Sequence, residues 1–209
     1  KIPKSFAKET KANIIFFSKK KLDEKYKHDL VLRGKHNLEN IAAAVSVAKI
    51  LNIKTEIIKK NVKEFKGLEH RLEFVREFAG VKYYNDSFAT GPQPTIAAIK
   101  SFTEDETLIL GGSDKGLEYE ELGKVIDKMK NVKNIILIGQ IRNQIKKHIK
   151  AKKIFDLEFS NMQAIINKAF DITKKDGVVI LSPAAASFDM FKDYKDRGNQ
   201  FKEVVWNLW

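Results

Sequence analysis

Leu181-Ser182-Pro183-Ala184-Ala185-Ala186-Ser187-Phe188-Asp189-Met190-Phe191-Lys192-Asp193-Tyr194-Lys195-Asp196-Arg197-Gly198 is the stretch on which the fold turns. The apolar run from Gly177 to Leu181 reads as a buried strand. It stops at Ser182-Pro183, crosses three alanines, and restarts as a polar, amphipathic helix near Ser187. The pattern is a strand, a tight small-residue loop and a helix N-terminus. Ser187 occupies the expected N-cap position, with Asp189 in the first turn. Alanine side chains leave the loop backbone open to close approach, and free N–H groups there form a cradle for a carboxylate or phosphate. An ordinary capped helix is the plainer reading of the same residues.

The same alternation runs outward from this stretch. Leu72 to Phe78 and Val81 to Tyr84 are strand-like and joined through Ala79-Gly80, a hairpin signal. Pro92 and Pro94 open a helix that runs through Ile99, since proline is tolerated in a first helical turn. Strands follow at Thr107 to Leu110, Val132 to Ile138 and, weakly, Lys153 to Leu157. Helices are expected over Tyr119 to Met129, over Ile141 to Ile149, and from a Ser160 cap to Ile172. Val178 to Leu181 is the last strand, and helices from Ser187 and from Phe201 finish the chain. Strands alternating with helices of this length predict βαβ units, an α/β fold with a mostly parallel sheet.

Before Phe65-Lys66-Gly67 the pattern is thinner. Asn13 to Phe17 and Asp29 to Leu32 read as short strands. A strong helix spans Leu38 to Leu51, with Ile41, Val45, Ala48 and Leu51 on one face. Thr55 caps a second helix whose apolar side is Ile57, Ile58, Val62 and Phe65. So few elements make a small core. Residues 1–66 are expected to be the tail of a larger domain and residues 67–209 a complete one.

Composition narrows the function. The 209 residues are 43% hydrophobic and 32% charged, which suits a globular protein with a core. Cysteine is absent, so disulfides and thiolate metal sites are excluded. His28, His36, His70 and His148 have no zinc-helix spacing. No apolar run approaches the roughly 20 residues that span a bilayer. No signal peptide is visible, and the chain starts at Lys1 without an initiator Met, so a processed product or fragment in the cytoplasm is expected. The net charge of +12 invites a nucleic-acid reading. The lysines are dispersed rather than clustered with aromatics, so an anionic small molecule suits the charge better.

In a parallel sheet, ligands bind beyond the carboxyl ends of the strands. Four polar clusters fall there: residues 85–90 (Asn-Asp-Ser-Phe-Ala-Thr), residues 111–116 (Gly-Gly-Ser-Asp-Lys-Gly), Gly139-Gln140, and Ser182 to Ser187. Together they offer one ammonium, several hydroxyls, carboxylates and backbone donors, a set that fits carboxylate or phosphate oxygens. No Gly-x-x-x-x-Gly-Lys-Ser/Thr exists in this chain, so it holds no P-loop of its own.

These clusters carry a resemblance. Gly34-Lys35-His36-Asn37-Leu38-Glu39-Asn40 and Gly67-Leu68-Glu69-His70-Arg71-Leu72-Glu73 resemble motifs general to the Mur ligase family. Asn85-Asp86-Ser87-Phe88-Ala89-Thr90 and Ser182-Pro183-Ala184-Ala185-Ala186-Ser187 resemble those of its D-glutamate-adding branch. The matches run in the family's order from Gly34 to about Phe201. The resemblance implies a Rossmann-like C-terminal domain that receives the amino acid, preceded by the end of the α/β central domain that binds ATP. It implies ATP-dependent amide synthesis in peptidoglycan precursor assembly, joining D-glutamate to UDP-N-acetylmuramoyl-L-alanine through an acyl phosphate. It also implies Mg2+, with its ligands and the P-loop outside this chain, a monomer, and no activity from this chain alone.

Residue by residue, the resemblance implies that Lys115 and Thr90 hold one carboxylate of D-glutamate. Ser187, with the Phe188 and Tyr194 region, holds the other. Asn37, Asn40, His70, Arg71 and Asp86 would line the nucleotide, with Asp86 accepting from ribose hydroxyls and Arg71 stacking on adenine. Each has a plainer reading: a solvated Lys115, capping Thr90 and Ser187, and a polar hinge in which His36 and His70 are structural donors. The chain also departs from the family. Phe88 stands where a lysine is usual, Gly91 where an asparagine is usual, and Ala185 where a cysteine is common. A sibling ligase adding another amino acid, and a non-catalytic nucleotide-binding module, are the other functions consistent with the motifs.

Overall fold

The computed structural model describes residues 11–209. The chain divides into two compact units, Lys1–Phe65 and Lys66–Trp209.

In the first unit, a 3₁₀ turn at Glu24–Tyr26 precedes helices α1 (Asn37–Ile50) and α2 (Thr55–Glu64). Leu22, Tyr26, Ile41, Ala42, Val45 and Ile58 form its core. The two expected strands are absent. Ile14 to Phe17 are exposed, with no ladder partner among the described residues, and an extended segment without a partner is not a strand. Asp29 has a φ of 56°, a left-handed conformation that breaks an extended run. Leu51 lies beyond the last turn of α1 and is exposed, as are Ile57 and Phe65. Thr55 is the first residue of α2 rather than its cap, and the Lys54 cap position makes no side-chain bond.

The second unit is a six-stranded sheet in the order β1-β2-β6-β3-β4-β5. The strands are β1 (Glu73–Phe78), β2 (Val81–Asn85), β3 (Glu106–Gly111), β4 (Val132–Ile138), β5 (Lys153–Asp156) and β6 (Val178–Leu181). β1 pairs antiparallel with β2, and every other ladder is parallel. The β1–β2 loop, Ala79-Gly80, has positive φ at both residues, the geometry that follows strand twist in a two-residue hairpin.

Helices cover both faces. They are α3 (Pro92–Ile99), α4 (Glu120–Lys128), α5 (Arg142–Lys146), α6 (Met162–Ile172) and α7 (Tyr194–Trp206). Leu108, Leu110, Ile135, Leu137, Val178 and Ile180 face the first three helices through Ile99, Leu122, Ile126 and Ile145. Ile109, Ile136, Ile138, Val179 and Leu181 point the other way, onto Ile165, Ile166, Phe201 and Val205. This two-sided burial explains why the central strands read as continuous β-branched and leucine runs.

Three helices differ from the sequence reading in where they start or end. α6 is capped by Asn161, whose side chain accepts from the Ala164 N–H, while Ser160 Oγ turns back to donate to the Leu157 carbonyl. α5 is one short turn rather than a helix to Ile149. No helix starts at Ser187: a single helix begins after Asp193, which caps it by accepting from the Asp196 N–H at 2.8 Å. The Ser187 carbonyl instead accepts from Met190 and Phe191, closing a compact turn.

Candidate functional site

The carboxyl ends of β2, β6, β3 and β4 are neighbours in the sheet, so the four polar clusters converge on one edge. Direct contacts tie three of them together. The Ser113 N–H donates to the Ala186 carbonyl at 2.9 Å. Asp189 accepts from the Ser113 hydroxyl at 3.2 Å and from the Gln140 N–H at 2.8 Å, while its own N–H donates to Ser113 Oγ. Asp189 is thus a brace between loops and not a first-turn residue of a helix. Gly112 has a φ of 143° and packs onto the Ala186 carbonyl, leaving no room for a side chain.

Arg197, on α7, anchors the fourth cluster from beneath. It is fully buried. Its Nε donates to Ser87 Oγ at 2.9 Å, and its Nη2 to the Ser87 carbonyl at 2.8 Å and the Ala185 carbonyl at 3.1 Å. Nη1 reaches the Ala186 carbonyl at 3.2 Å. Burial lowers its pKa to about 10, which leaves it charged at neutral pH. One guanidinium therefore fixes the loop after β2 to the loop after β6. The sequence reading assigned Arg197 no role.

The expected amino-acid-side residues lie around this junction. Lys115 is exposed in the loop after β3 and forms no ion pair among the described residues. Its loop is held by Asp114, which accepts from the Gly116 N–H at 2.8 Å and from Gln144 Nε2 at 2.6 Å. Those two bonds, the first the stronger, hold the Asp114 carboxyl below its ordinary pKa. Thr90 follows β2, and a side chain begun at the adjoining Gly91 would meet Leu117 Cδ1 at 3.7 Å, so the two loops are neighbours. Ser187 is buried and Phe188 is 70% exposed. The Asp189, Met190 and Phe191 N–H groups are spent inside the loop, so the expected cradle shrinks. The Ser187 and Phe188 N–H groups have no acceptor among the described residues and remain its open donors. Tyr194 contributes its carbonyl inward, accepting from Ser87 Oγ at 2.8 Å.

The expected nucleotide-side residues behave differently. Asp86 is buried, accepting from the Leu72 N–H at 3.0 Å and from Ser182 Oγ at 2.7 Å. Desolvation outweighs these bonds and pushes its carboxyl up to about 7. His70 is also buried, with Nδ1 2.9 Å from Asn85 Nδ2, so that nitrogen acts as the acceptor and the proton sits on Nε2. Desolvation lowers the His70 pKa, favouring the neutral ring. Both side chains thus have hydrogen-bond partners within the second unit. Arg71 is exposed, its Cζ 4.1 Å above the Phe88 ring centroid. Asn37 and Asn40 belong to the first unit, at the start of α1. There Asn37 Nδ2 donates to the Arg33 carbonyl and its Oδ1 accepts from Asn40. Desolvation lowers the pKa of His36, beside them.

Among the described residues no three acidic or imidazole side chains gather to hold a metal ion. No helix among them is long and apolar enough to cross a membrane.

Residues 70–185 match a family model described as "Mur ligase, glutamate ligase domain". The chain is 42% identical to the UDP-N-acetylmuramoylalanine–D-glutamate ligase of Caldanaerobacter subterraneus subsp. tengcongensis, over 86% of its own length and 40% of that protein. It is 38% identical to the ligase of that name from Acetivibrio thermocellus, over 98% of this chain and 49% of the relative. The chain thus spans less than half the length of these relatives. Among solved structures, UDP-N-acetylmuramate-alanine ligase from Thermotoga maritima superposes with a TM-score of 0.61 at 14% identity, covering 85% of this chain and 39% of that one. MurF ligase from the same organism, in complex with ADP, gives 0.56 at 21% identity over 82% and 38%. At these identities the two structures speak for the fold alone.

Proposed function

This chain belongs to the Mur ligase family, and from that premise we propose that it is the C-terminal part of the ATP-dependent ligase that adds D-glutamate to UDP-N-acetylmuramoyl-L-alanine. Its first unit is then the end of the ATP-binding central domain, and its second unit receives D-glutamate. The setting is peptidoglycan precursor synthesis in the cytoplasm.

The observation that carries this reading is the donor set on one sheet edge. An unpaired Lys115, the Thr90 hydroxyl, and the Ser187 and Phe188 N–H groups surround a junction welded by Arg197 and Asp189. A dicarboxylate needs two such groups of donors on a rigid mount. In the proposed reaction the γ-phosphoryl group of ATP passes to the alanyl carboxylate, releasing ADP. The D-glutamate amine attacks the acyl carbon, loses a proton, and phosphate departs from the tetrahedral intermediate. The side chains of this chain form no covalent bond in that scheme. They bind and orient the amino acid, and positioning supplies the rate. Magnesium would neutralise phosphate charge, and we place its ligands, with the P-loop, outside this chain. Hence the chain alone is expected to be inactive.

The test is phosphate release with ATP, magnesium, UDP-N-acetylmuramoyl-L-alanine and a panel of amino acids, using the full-length protein and this chain separately. Turnover by the full-length protein with D-glutamate only is the expected result. Turnover with a different amino acid makes it a sibling ligase, and turnover with none makes it a binding module.

A further inference from the structure

Phe88 stands where the family resemblance leads one to expect a lysine, and the structure gives it a different task. Its N–H donates to the His70 carbonyl at 3.0 Å, so the turn after β2 is bonded to the turn before β1. Its ring sits edge-on to Tyr194, with centroids 4.9 Å apart. The remaining ring face lies under the Arg71 guanidinium at 4.1 Å. The Arg71 backbone N–H donates to the Leu68 carbonyl, while its guanidinium makes no hydrogen bond or ion pair among the described residues, so the guanidinium N–H edge is unspent. Asp86, close enough for the Arg71 charge to favour its ionised form, has both oxygens committed to Leu72 and Ser182. A planar cation is therefore held over an aromatic platform with its donors unused, at the edge of the sheet where ligands bind.

We propose that Phe88 is a positioning residue that acts through Arg71, presenting the guanidinium to the adenine nucleotide. This rests on the ligase reading above. Replacing the lysine removes one mobile charge, and the aromatic face orders another. An unanchored arginine would lose side-chain entropy on binding, and a stacked one has already lost part of it.

The test uses the full-length protein and two readouts: ADP binding by calorimetry, and steady-state KM values for ATP and D-glutamate. Phe88→Leu keeps an apolar side chain against Tyr194 but removes the π face. It is expected to weaken ADP binding and raise the KM for ATP by about three- to tenfold, the size of a partly exposed cation–π contact. The KM for D-glutamate should stay within about twofold, and Phe88→Tyr should restore ADP affinity, since both follow from a contact confined to the ring face. In an Arg71→Ala background, Phe88→Leu should have no further effect on ADP binding. Unchanged ADP affinity in Phe88→Leu, a loss that persists without Arg71, or a loss confined to D-glutamate would overturn the inference. So would failure of the parent protein to bind ADP. Absence of D-glutamate-dependent turnover strikes the ligase reading instead, and the ADP measurements then still judge Phe88.

Discussion

Arg197 donates to both the hydroxyl and the carbonyl oxygen of Ser87, from a position 110 residues later in the chain. The same guanidinium holds Ala185 and Ala186, so it spans two loops that share no covalent proximity. Lysine carries one point charge and cannot reproduce this fork. Arg197→Lys and Arg197→Met should each destabilise the second unit by about 3–5 kcal/mol, because buried carbonyls lose their donors. Chemical denaturation measures this, and a loss below about 0.5 kcal/mol, the usual size of a surface change, would refute the clamp.

Two buried carboxyls give the protein a pH dependence of opposite sign to that of paired surface acids. Burial raises Asp86 from 3.8 to about 7 and Glu106 from 4.5 to about 9. With the folded pKa above the unfolded one, the folded state holds protons that the unfolded chain has released. Stability therefore falls as pH rises from about 4 to 7 for Asp86, and on to about 9 for Glu106. Asp86→Asn should flatten the slope between about pH 4 and 7, and Glu106→Gln should flatten it from about pH 5 to 9, in melting temperatures recorded across that range. Glu106 sits at the opposite end of β3 from the site, with Oε1 accepting from Asn131 and Oε2 buried without a partner. Glu106→Gln should therefore stabilise above pH 8 without altering ligand binding.

Gly198 lies inside α7, where alanine is ordinarily preferred by about 1 kcal/mol. Here a Cβ would overlap the His70 ring at Nδ1 and crowd Asn85 Oδ1. Gly198→Ala should destabilise by about 1–3 kcal/mol, the cost of overpacking. A rise in melting temperature would show that the His70 turn yields freely.

Lys115 is exposed, so its removal should leave the fold unchanged while weakening substrate capture. Lys115→Gln in the full-length protein should lower kcat/KM for D-glutamate by about 10- to 100-fold, the worth of a charged hydrogen bond to a carboxylate. An unchanged value would return Lys115 to the solvated surface.

The sheet was legible because strands buried on both faces write themselves as unbroken apolar runs, as Val132–Ile138 and Val178–Leu181 do. The loops were less so. Ser187 with Asp189 resembles a cap and first turn, yet Asp189 spends its carboxylate on Ser113 and Gln140, 76 and 49 residues away. A local pattern cannot reveal a distant partner that outbids it. Arg197 was hidden for the same reason, since its acceptors are one distant hydroxyl, Ser87 Oγ, and three backbone carbonyls that carry no side-chain signature. The two short strands expected in the first unit failed because hydrophobic residues alone do not make a strand without a neighbour to bond.

The position of β6 sets an order in time. β1–β2 and β3–β4–β5 can each assemble from nearby sequence, but only β6 joins them, pairing with β2 on one side and β3 on the other. During synthesis the two half-sheets must wait, edges unpaired, until residues 178–181 emerge. The loops of the candidate site are thus completed only by β6, and a ribosome that stalls before it leaves two exposed sheet edges.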